Sequence, residues 1–208
     1  MKFTELQACC RTKNCRGPKK YDRVEYPHNG FNTIPKGFIR LDPCEAEYLY
    51  MMAKKSQLGI VELGRFKGGS TLLMAAAANV HVHSVDIDPV DDVYLSQLID
   101  ELDIDNIELY VDDSQKTDLP HTIEYDLLFV DGDHSYEGAF NDMDNWWDNL
   151  AIGGHVILHD CYDMYDIPQA VSDFIVGKNI AMHVSPFNSY NVWENKWGSI
   201  CHFQKLGA

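Results

Sequence analysis

The stretch Ile60-Val61-Glu62-Leu63-Gly64-Arg65-Phe66-Lys67-Gly68-Gly69-Ser70-Thr71 constrains the fold more than any other part of the chain. A short apolar run ending in a carboxylate, Glu62, reads as a buried parallel strand. A glycine-rich turn follows, and Leu72 to Ala78 is a run of strong helix formers. Strand, turn and helix N-terminus together bring backbone N–H groups to one place, and glycines let a ligand approach that backbone closely. The pattern points to a nucleotide-like ligand. The alternative is a strand–turn–helix that binds nothing.

What the pattern lacks narrows the ligand. The dinucleotide fingerprint G-x-G-x-x-G starts with a glycine, and Glu62 stands in its place. A carboxylate there would repel a pyrophosphate and suit a cation, such as a molecule carrying an ammonium and a sulfonium. No lysine follows the glycines as the phosphate loop requires. The next apolar run, starting at His81, ends on Asp86, which is placed to accept hydrogen bonds from ribose hydroxyls. Asp88 is the alternative partner, or the residue that opens the turn into Pro89.

At 208 residues the chain fits one domain with a single sizeable core. Its net charge of −15 argues against a nucleic-acid surface or an anionic membrane as partner, and leaves a small molecule. The first residues lack the apolar core of a signal peptide and no run approaches membrane-span length. The expected location is therefore the cytoplasm, with all six cysteines reduced.

Residues 1–41 are expected to form an irregular arm, and residues 42–208 the folded domain. Cys9, Cys10, Cys15 and Cys44 match no pair of C-x-x-C knuckles, which argues against zinc there. An arm of this length would cover an active site or a subunit interface, so a homodimer is an expectation. Asp42, Pro43 and Glu45 open a helix as N-cap, first helical residue and first-turn acid, with Ala46, Leu49, Tyr50 and Ala53 as its apolar face.

Further along, strands are expected at Ile107–Val111, Tyr125–Asp131, Val156–Asp160, Ile180–Ser185 and Val192–Phe203, with Gly153-Gly154 as a turn. Helical stripes run through Tyr94–Leu102, Tyr136–Leu150 and Ala170–Ile175, where Trp146 and Trp147 read as core anchors and Gly177 as a stop. Alternating strands and helices imply a parallel sheet covered on both faces.

From about Asp42 to Gln204 the chain resembles the class I S-adenosylmethionine-dependent methyltransferases, nearest the small-molecule O-methyltransferase branch with macrocin O-methyltransferase and cephalosporin-hydroxylase-like proteins. Four segments carry the resemblance: Val61–Thr71, Val85–Pro89, Phe129–Glu137 and Gly153–Asp160. It implies an α/β Rossmann-like, doubly wound seven-stranded sheet of order 3-2-1-4-5-7-6 with strand 7 antiparallel. It also implies S-adenosylmethionine as cofactor. Glu62 and Gly64 would face its methionyl part, Asp86 its ribose, and Asp112, Asp113 and Ser114 its adenine edge. Phe66, Gly68, Ser70, Ile87 and Asp131 complete the expected cofactor site.

Strands 4 and 5 end in Asp131-Gly132-Asp133-His134 and His159-Asp160. In open α/β sheets such tips form the ligand crevice. Methyl transfer to a hydroxyl of a small molecule or sugar needs an oriented acceptor and a proton sink. Asp131, His134 and His159 are the candidate catalytic residues. Related antibiotic O-methyltransferases hold Mg²⁺ at these tips, so Asp131, His159 and Asp160 form a candidate site for Mg²⁺ or Mn²⁺. His134 or His159 as a metal-free base is the competing reading, and a capping role for Asp133 or Ser135 the bland one. A metal-assisted enzyme of the cephalosporin-hydroxylase type and a cofactor-binding protein without catalysis are the rival functions. Tyr162, Met164 and Tyr165 are candidates to line an acceptor pocket.

Overall fold

In the computed structural model, residues 38–161, 166–186 and 199–207 are described. Helix α1 (Pro43–Ala53) leads into strand β1 (Ile60–Leu63), helix α2 (Gly69–Ala77) and strand β2 (Val82–Asp86). Helix α3 (Asp92–Glu101), strand β3 (Ile107–Val111), strand β4 (Tyr125–Val130) and helix α4 (Tyr136–Trp147) follow. Strand β5 (Leu150–Leu158), helix α5 (Ile167–Phe174), strand β6 (Ile180–Val184) and strand β7 (Cys201–Lys205) complete the order. The sheet runs β3-β2-β1-β4-β5-β7-β6. Strands β1 to β5 pair in parallel, whereas β7 pairs antiparallel with both β5 and β6. This is the Rossmann-like order that the resemblance implies.

Period-two alternation sorts the strand residues between two cores. Ile60, Val82, Leu127, Phe129 and Ile157 pack under α1, α2 and α3. Val61, Leu63, Leu128, Val130, Val156 and Leu158 pack under α4 and α5 with Trp146 and Trp147, so both tryptophans are core anchors. The Lys205 ammonium is buried and donates to the carbonyls of Trp147 (2.8 Å) and Leu150 (3.0 Å), satisfying the C-terminus of α4. Phe38, Ile39 and Leu41 are buried against the domain.

Two sequence expectations need correction. Strand β5 starts at Leu150, not Val156, and runs through the glycine pair. The turn signal is still physical: Tyr125 pairs with Leu150 but Leu127 with His155, so residues between them leave the ladder, and Gly153 has φ +88°. The final strand begins at Cys201 among the described residues, and the expected stretch from Val192 to residue 198 lies outside them. No helix among the described residues is long and apolar enough to cross a membrane.

Strand order reverses between β1 and β4, and Gly64 sits at that point with φ +86°. A Cβ there would lie 2.4 Å from the Asp131 carbonyl oxygen, so the tips of β1 and β4 meet only through a glycine. At Gly153 a Cβ would meet nothing within 4 Å. Gly153→Ala is therefore expected to cost only the left-handed backbone penalty, about 1–2 kcal/mol. Gly64→Ala is expected to cost clearly more in denaturant unfolding; equal losses would show that β1 and β4 do not need this close approach.

Candidate active site

The turn after β1 is built around Asp86, at the end of β2. One carboxylate oxygen, Oδ2, accepts the backbone N–H groups of Arg65 and Phe66, both at 2.9 Å, and Oδ1 accepts that of Asp88 at 2.9 Å. The clamp holds Phe66 at φ +52°, a strained conformation for an aromatic residue. Behind the turn, buried Arg65 donates to the carbonyls of Ser84 (3.0 Å) and Tyr110 (2.8 Å) and forks onto Asp92 (2.9 and 2.5 Å). One arginine thus ties the tips of β2 and β3 and the start of α3 to the glycine turn.

A cavity of about 810 Å³ opens over these tips. Of the expected cofactor residues, Gly64, Phe66, Asp86, Ile87, Asp113, Ser114 and Asp131 line it. His134, His159 and Asp160 line it on the β4–β5 side. The structure adds Arg40, Asp88, Gln115, Lys116, Gly132 and Asp133. The turn carrying Ser114 is positioned by α4: the Ser114 carbonyl accepts Trp146 Nε1–H and Asn145 Nδ2–H, both at 2.9 Å, and Ser114 Oγ donates to Asp142 at 2.6 Å.

Glu62, Gly68, Ser70 and Asp112 are not among the lining residues. Glu62 is the largest correction. The strand continues to Leu63, so alternation sends Glu62 beneath α2, fully buried. Its carboxylate accepts the hydroxyls of Ser70, Thr71 and Ser84, the last at 2.6 Å. Burial, opposed by those three hydrogen bonds, pushes its pKa up to about 7. Glu62 therefore fastens β1 and β2 to α2 and stands outside the cavity lining, and the Ser70 hydroxyl is taken up by it. Gly68 has φ +81° and its Cβ position is closed by Leu95. Asp112 is occupied by Thr117 Oγ1 (2.6 Å) and the Asp113 N–H (2.8 Å).

His159 is also recast. Its Nε2 lies 3.1 Å from Glu45 Oε2 and its Nδ1 3.1 Å from Asp131 Oδ1. An imidazole donates at both nitrogens only as the cation. Burial opposes that charge, but Asp131 and Glu45 outweigh it and hold the His159 pKa well above the ordinary value. Burial likewise acts to raise Glu45 and Asp131, and the imidazolium overrides it and holds both low. With both nitrogens engaged, His159 offers no lone pair to a metal or to a proton in flight. It is a positioning residue.

Glu45 is the functional residue that sequence reasoning missed. It completes a capping box, accepting the Asp42 N–H at 2.6 Å. It also accepts the N–H and Oγ–H of Ser199, both at 2.8 Å. The D-x-x-E pattern was readable; its pairing with His159, 114 positions away, was not.

His134 faces Asp131 Oδ1 at 3.7 Å and Asp160 Oδ2 at 3.8 Å. The nearby Asp131 carboxylate, with Asp160 behind it, raises its pKa against partial burial. Burial and the neighbouring Asp131 charge raise that of Asp160. Asp131, His134 and Asp160 each bring one ligand atom within 4.8 Å of the others, so the set that fits a metal contains His134 in place of His159. Ser135 is the α4 N-cap, accepting Gly138 N–H at 3.0 Å, while Asp133 accepts the Ser135 N–H at 2.9 Å. Tyr162, Met164, Tyr165, Cys9, Cys10 and Cys15 lie outside the described residues.

Comparison with known proteins agrees with this geometry. Residues 61–161, from β1 to just past β5, match a family model described as a methyltransferase domain. Over 129 residues the chain is 27% identical to Uncharacterized protein R132 of Acanthamoeba polyphaga mimivirus, covering 57% of this chain and 58% of that protein. It thus spans less than two thirds of that relative's length.

Among solved structures, the chain is similar to an rRNA methylase from Streptococcus thermophilus (TM-score 0.56, 19% identity, 78% of this chain and 94% of that one). It is also similar to SMU.1697c from Streptococcus mutans in complex with SAH (0.60, 14%, 78% and 98%), and to precorrin-6y C5,15-methyltransferase from Geobacter metallireducens (0.58, 14%, 72% and 78%). At these identities the likeness establishes the fold alone. The printed acceptors, an RNA and a precorrin, differ, as expected when function resides in the site and not the fold.

His159 is protonated more readily folded than unfolded, so its contribution to stability is complete below the ordinary histidine value of 6.5 and is lost as pH rises through its raised folded value. Glu45 and Asp131, held below 4.5 and 3.8, contribute above those values and lose that as pH falls through their lowered ones. The trio is therefore fully stabilising between about pH 4.5 and 6.5. Glu45→Gln is expected to lower the His159 pKa, read by NMR titration of the imidazole, and to cost about 1–3 kcal/mol at pH 6. An unmoved titration would show that Glu45 does not hold the charge.

Glu62 behaves oppositely, because its raised pKa makes the folded state the stronger proton binder. Wild type should lose stability relative to Glu62→Gln as pH rises from 4.5 to about 7. Parallel unfolding profiles for the two would remove the buried-carboxyl assignment.

Proposed function

We propose that this chain is an S-adenosylmethionine-dependent methyltransferase that methylates a hydroxyl of a small molecule or sugar. The observation that carries the reading is the acidic cavity over the β1–β4 switch point. Asp86, Asp88, Asp113, Asp131, Asp133 and Asp160 line it, against Arg40, Lys116 and two histidines. Such a lining disfavours a dinucleotide pyrophosphate and suits a ligand with ammonium and sulfonium charges. Its volume of about 810 Å³ lies within the roughly 300–1,000 Å³ of small-molecule sites.

S-adenosylmethionine supplies a methyl group on a positively charged sulfur, which leaves as a neutral thioether when an acceptor oxygen takes the methyl. The residues of this chain do the rest. Asp86 keeps unused lone pairs beyond its three backbone bonds and faces the ribose. The turn from Asp113 to Lys116, braced by α4, flanks the adenine. Asp131, fixed at Oδ1 by His159, keeps the acidic tip beside the acceptor. His134 is the proton sink: it is half-exposed in the cavity, and Asp131 and Asp160 stabilise it once charged.

Asp131, His134 and Asp160 also fit a divalent ion, whose chemistry would be to lower the pKa of the acceptor hydroxyl. One imidazole among two carboxylates suits Mn²⁺ better than Mg²⁺. The net charge of −15 and an acid-lined cavity favour a small acceptor over RNA.

Calorimetric titration with S-adenosylmethionine, S-adenosylhomocysteine and NAD⁺ tests the cofactor, and tighter binding of NAD⁺ would overturn it. Asp131→Asn and His134→Gln are expected to retain cofactor binding and to lose methyl transfer by about 10²–10⁴-fold across a panel of hydroxylated acceptors. Wild-type protein that binds cofactor yet transfers nothing to any acceptor of that panel would favour a binding protein.

A further inference from the structure

Away from the cavity, three histidines from three neighbouring strands converge on one face of the antiparallel edge. His155 Nδ1 of β5 lies 2.9 Å from His202 Nε2 of β7. The ring of His183 in β6 stacks on His202, with centroids 4.5 Å apart. One ring nitrogen from each of the three lies within 4.8 Å of the others. The strand register explains the meeting. Met182 pairs with Phe203 and Val184 with His202, so His183 is the extra residue of a bulge, and bulges re-aim side chains.

We propose that His155, His183 and His202 form a binding site for a divalent transition ion of the zinc type, separate from the cavity at the strand tips. Three imidazoles are a donor set for such ions and a poor one for Mg²⁺ or Ca²⁺. The rings grade from buried His202 through half-buried His155 to exposed His183, which leaves a path from solvent and room for a fourth ligand. Tyr48 Oη lies 2.5 Å from His202 Nδ1. With the Nδ1 proton donated to Tyr48, Nε2 is left to face the other two rings, the usual way an outer partner sets a ligating tautomer.

The geometry is near to that of a bound ion without matching it. Two nitrogens on a tetrahedral ion about 2.0–2.1 Å away stand roughly 3.3 Å apart, so the 2.9 Å pair must open slightly and His183 must close in. Exposed His183 has the freedom to do so. An ion here would join β5, β6 and β7, and through Tyr48 would brace α1, the helix that carries Glu45 to His159. It would lie about 13 Å from His159, four residues along β5 at roughly 3.3 Å each.

Titration of the metal-stripped, tag-free full chain with ZnCl₂, with MgCl₂ in parallel, tests the site. Wild type is expected to bind Zn²⁺ and to ignore Mg²⁺ at these histidines. The His155→Ala/His183→Ala double variant should weaken Zn²⁺ binding by more than about 100-fold, and Tyr48→Phe by about 10–100-fold, as loss of an outer partner does. Asp131→Asn/Asp160→Asn should leave this Zn²⁺ site unchanged. Protection of His183 from diethylpyrocarbonate by Zn²⁺, mapped by mass spectrometry on wild type, supplies a reading that needs no variant. Unprotected His183, Zn²⁺ affinity unchanged in the double histidine variant, or affinity lost only with the two aspartates would overturn the proposal.

Discussion

A buried imidazolium held between two carboxylates is the interaction on which the site's geometry depends. Removing His159, Glu45 and Asp131 from water costs each of them solvation, which their mutual hydrogen bonding offsets, helped at Glu45 by Asp42 and Ser199. The arrangement is therefore all or none. What it fixes is larger than itself: Glu45 comes from α1, Asp131 from the tip of β4, His159 from the tip of β5, and Ser199 stands just before β7. Four parts of the chain far apart in sequence are held in register around one doubly protonated ring.

The same clamp decides which groups are left for chemistry. Asp131 presents to the cavity what His159 does not use, and His134 and Asp160 are its neighbours there. Glu62 is withdrawn from the ligand by strand alternation and holds a proton near neutrality. The negative charge lining the cavity then comes from the aspartates at the strand tips. An electrostatic argument against a pyrophosphate therefore rests on those aspartates and not on Glu62.

The legible and illegible parts of the fold divide on a physical line. Local signals were sufficient for the glycine turn, the caps at Asp42 and Ser135, the apolar strands and the tryptophan anchors. Strand order came through the resemblance, since no local pattern encodes which strand neighbours which. Three features were hidden because each depends on residues distant in sequence: the Glu45–His159 pair, Lys205 on the carbonyls ending α4, and the excursion within β5. Glu62 was different. Its burial was available from the alternation Ile60, Glu62 against Val61, Leu63, had the strand been extended by one residue.

Backbone strain points to the same place as the electrostatics. Among the described residues, Phe66, Asp103 and Asp160 are the non-glycine residues with positive φ. Asp103 merely follows the C-terminus of α3, where the left-handed conformation is ordinary. Phe66 and Asp160 instead line opposite sides of the cavity, at φ +52° each. Such conformations cost on the order of 1–3 kcal/mol and persist only where surrounding contacts over-determine them. At Phe66 those contacts are explicit: its N–H goes to Asp86 and its carbonyl accepts the Val90 N–H at 3.1 Å. At Asp160, His159 before it donates its N–H to Val130, and Cys161 after it donates to Ser199. In both cases the turn is pinned on its two sides, so the side chain between is held over the cavity without depending on a ligand to place it.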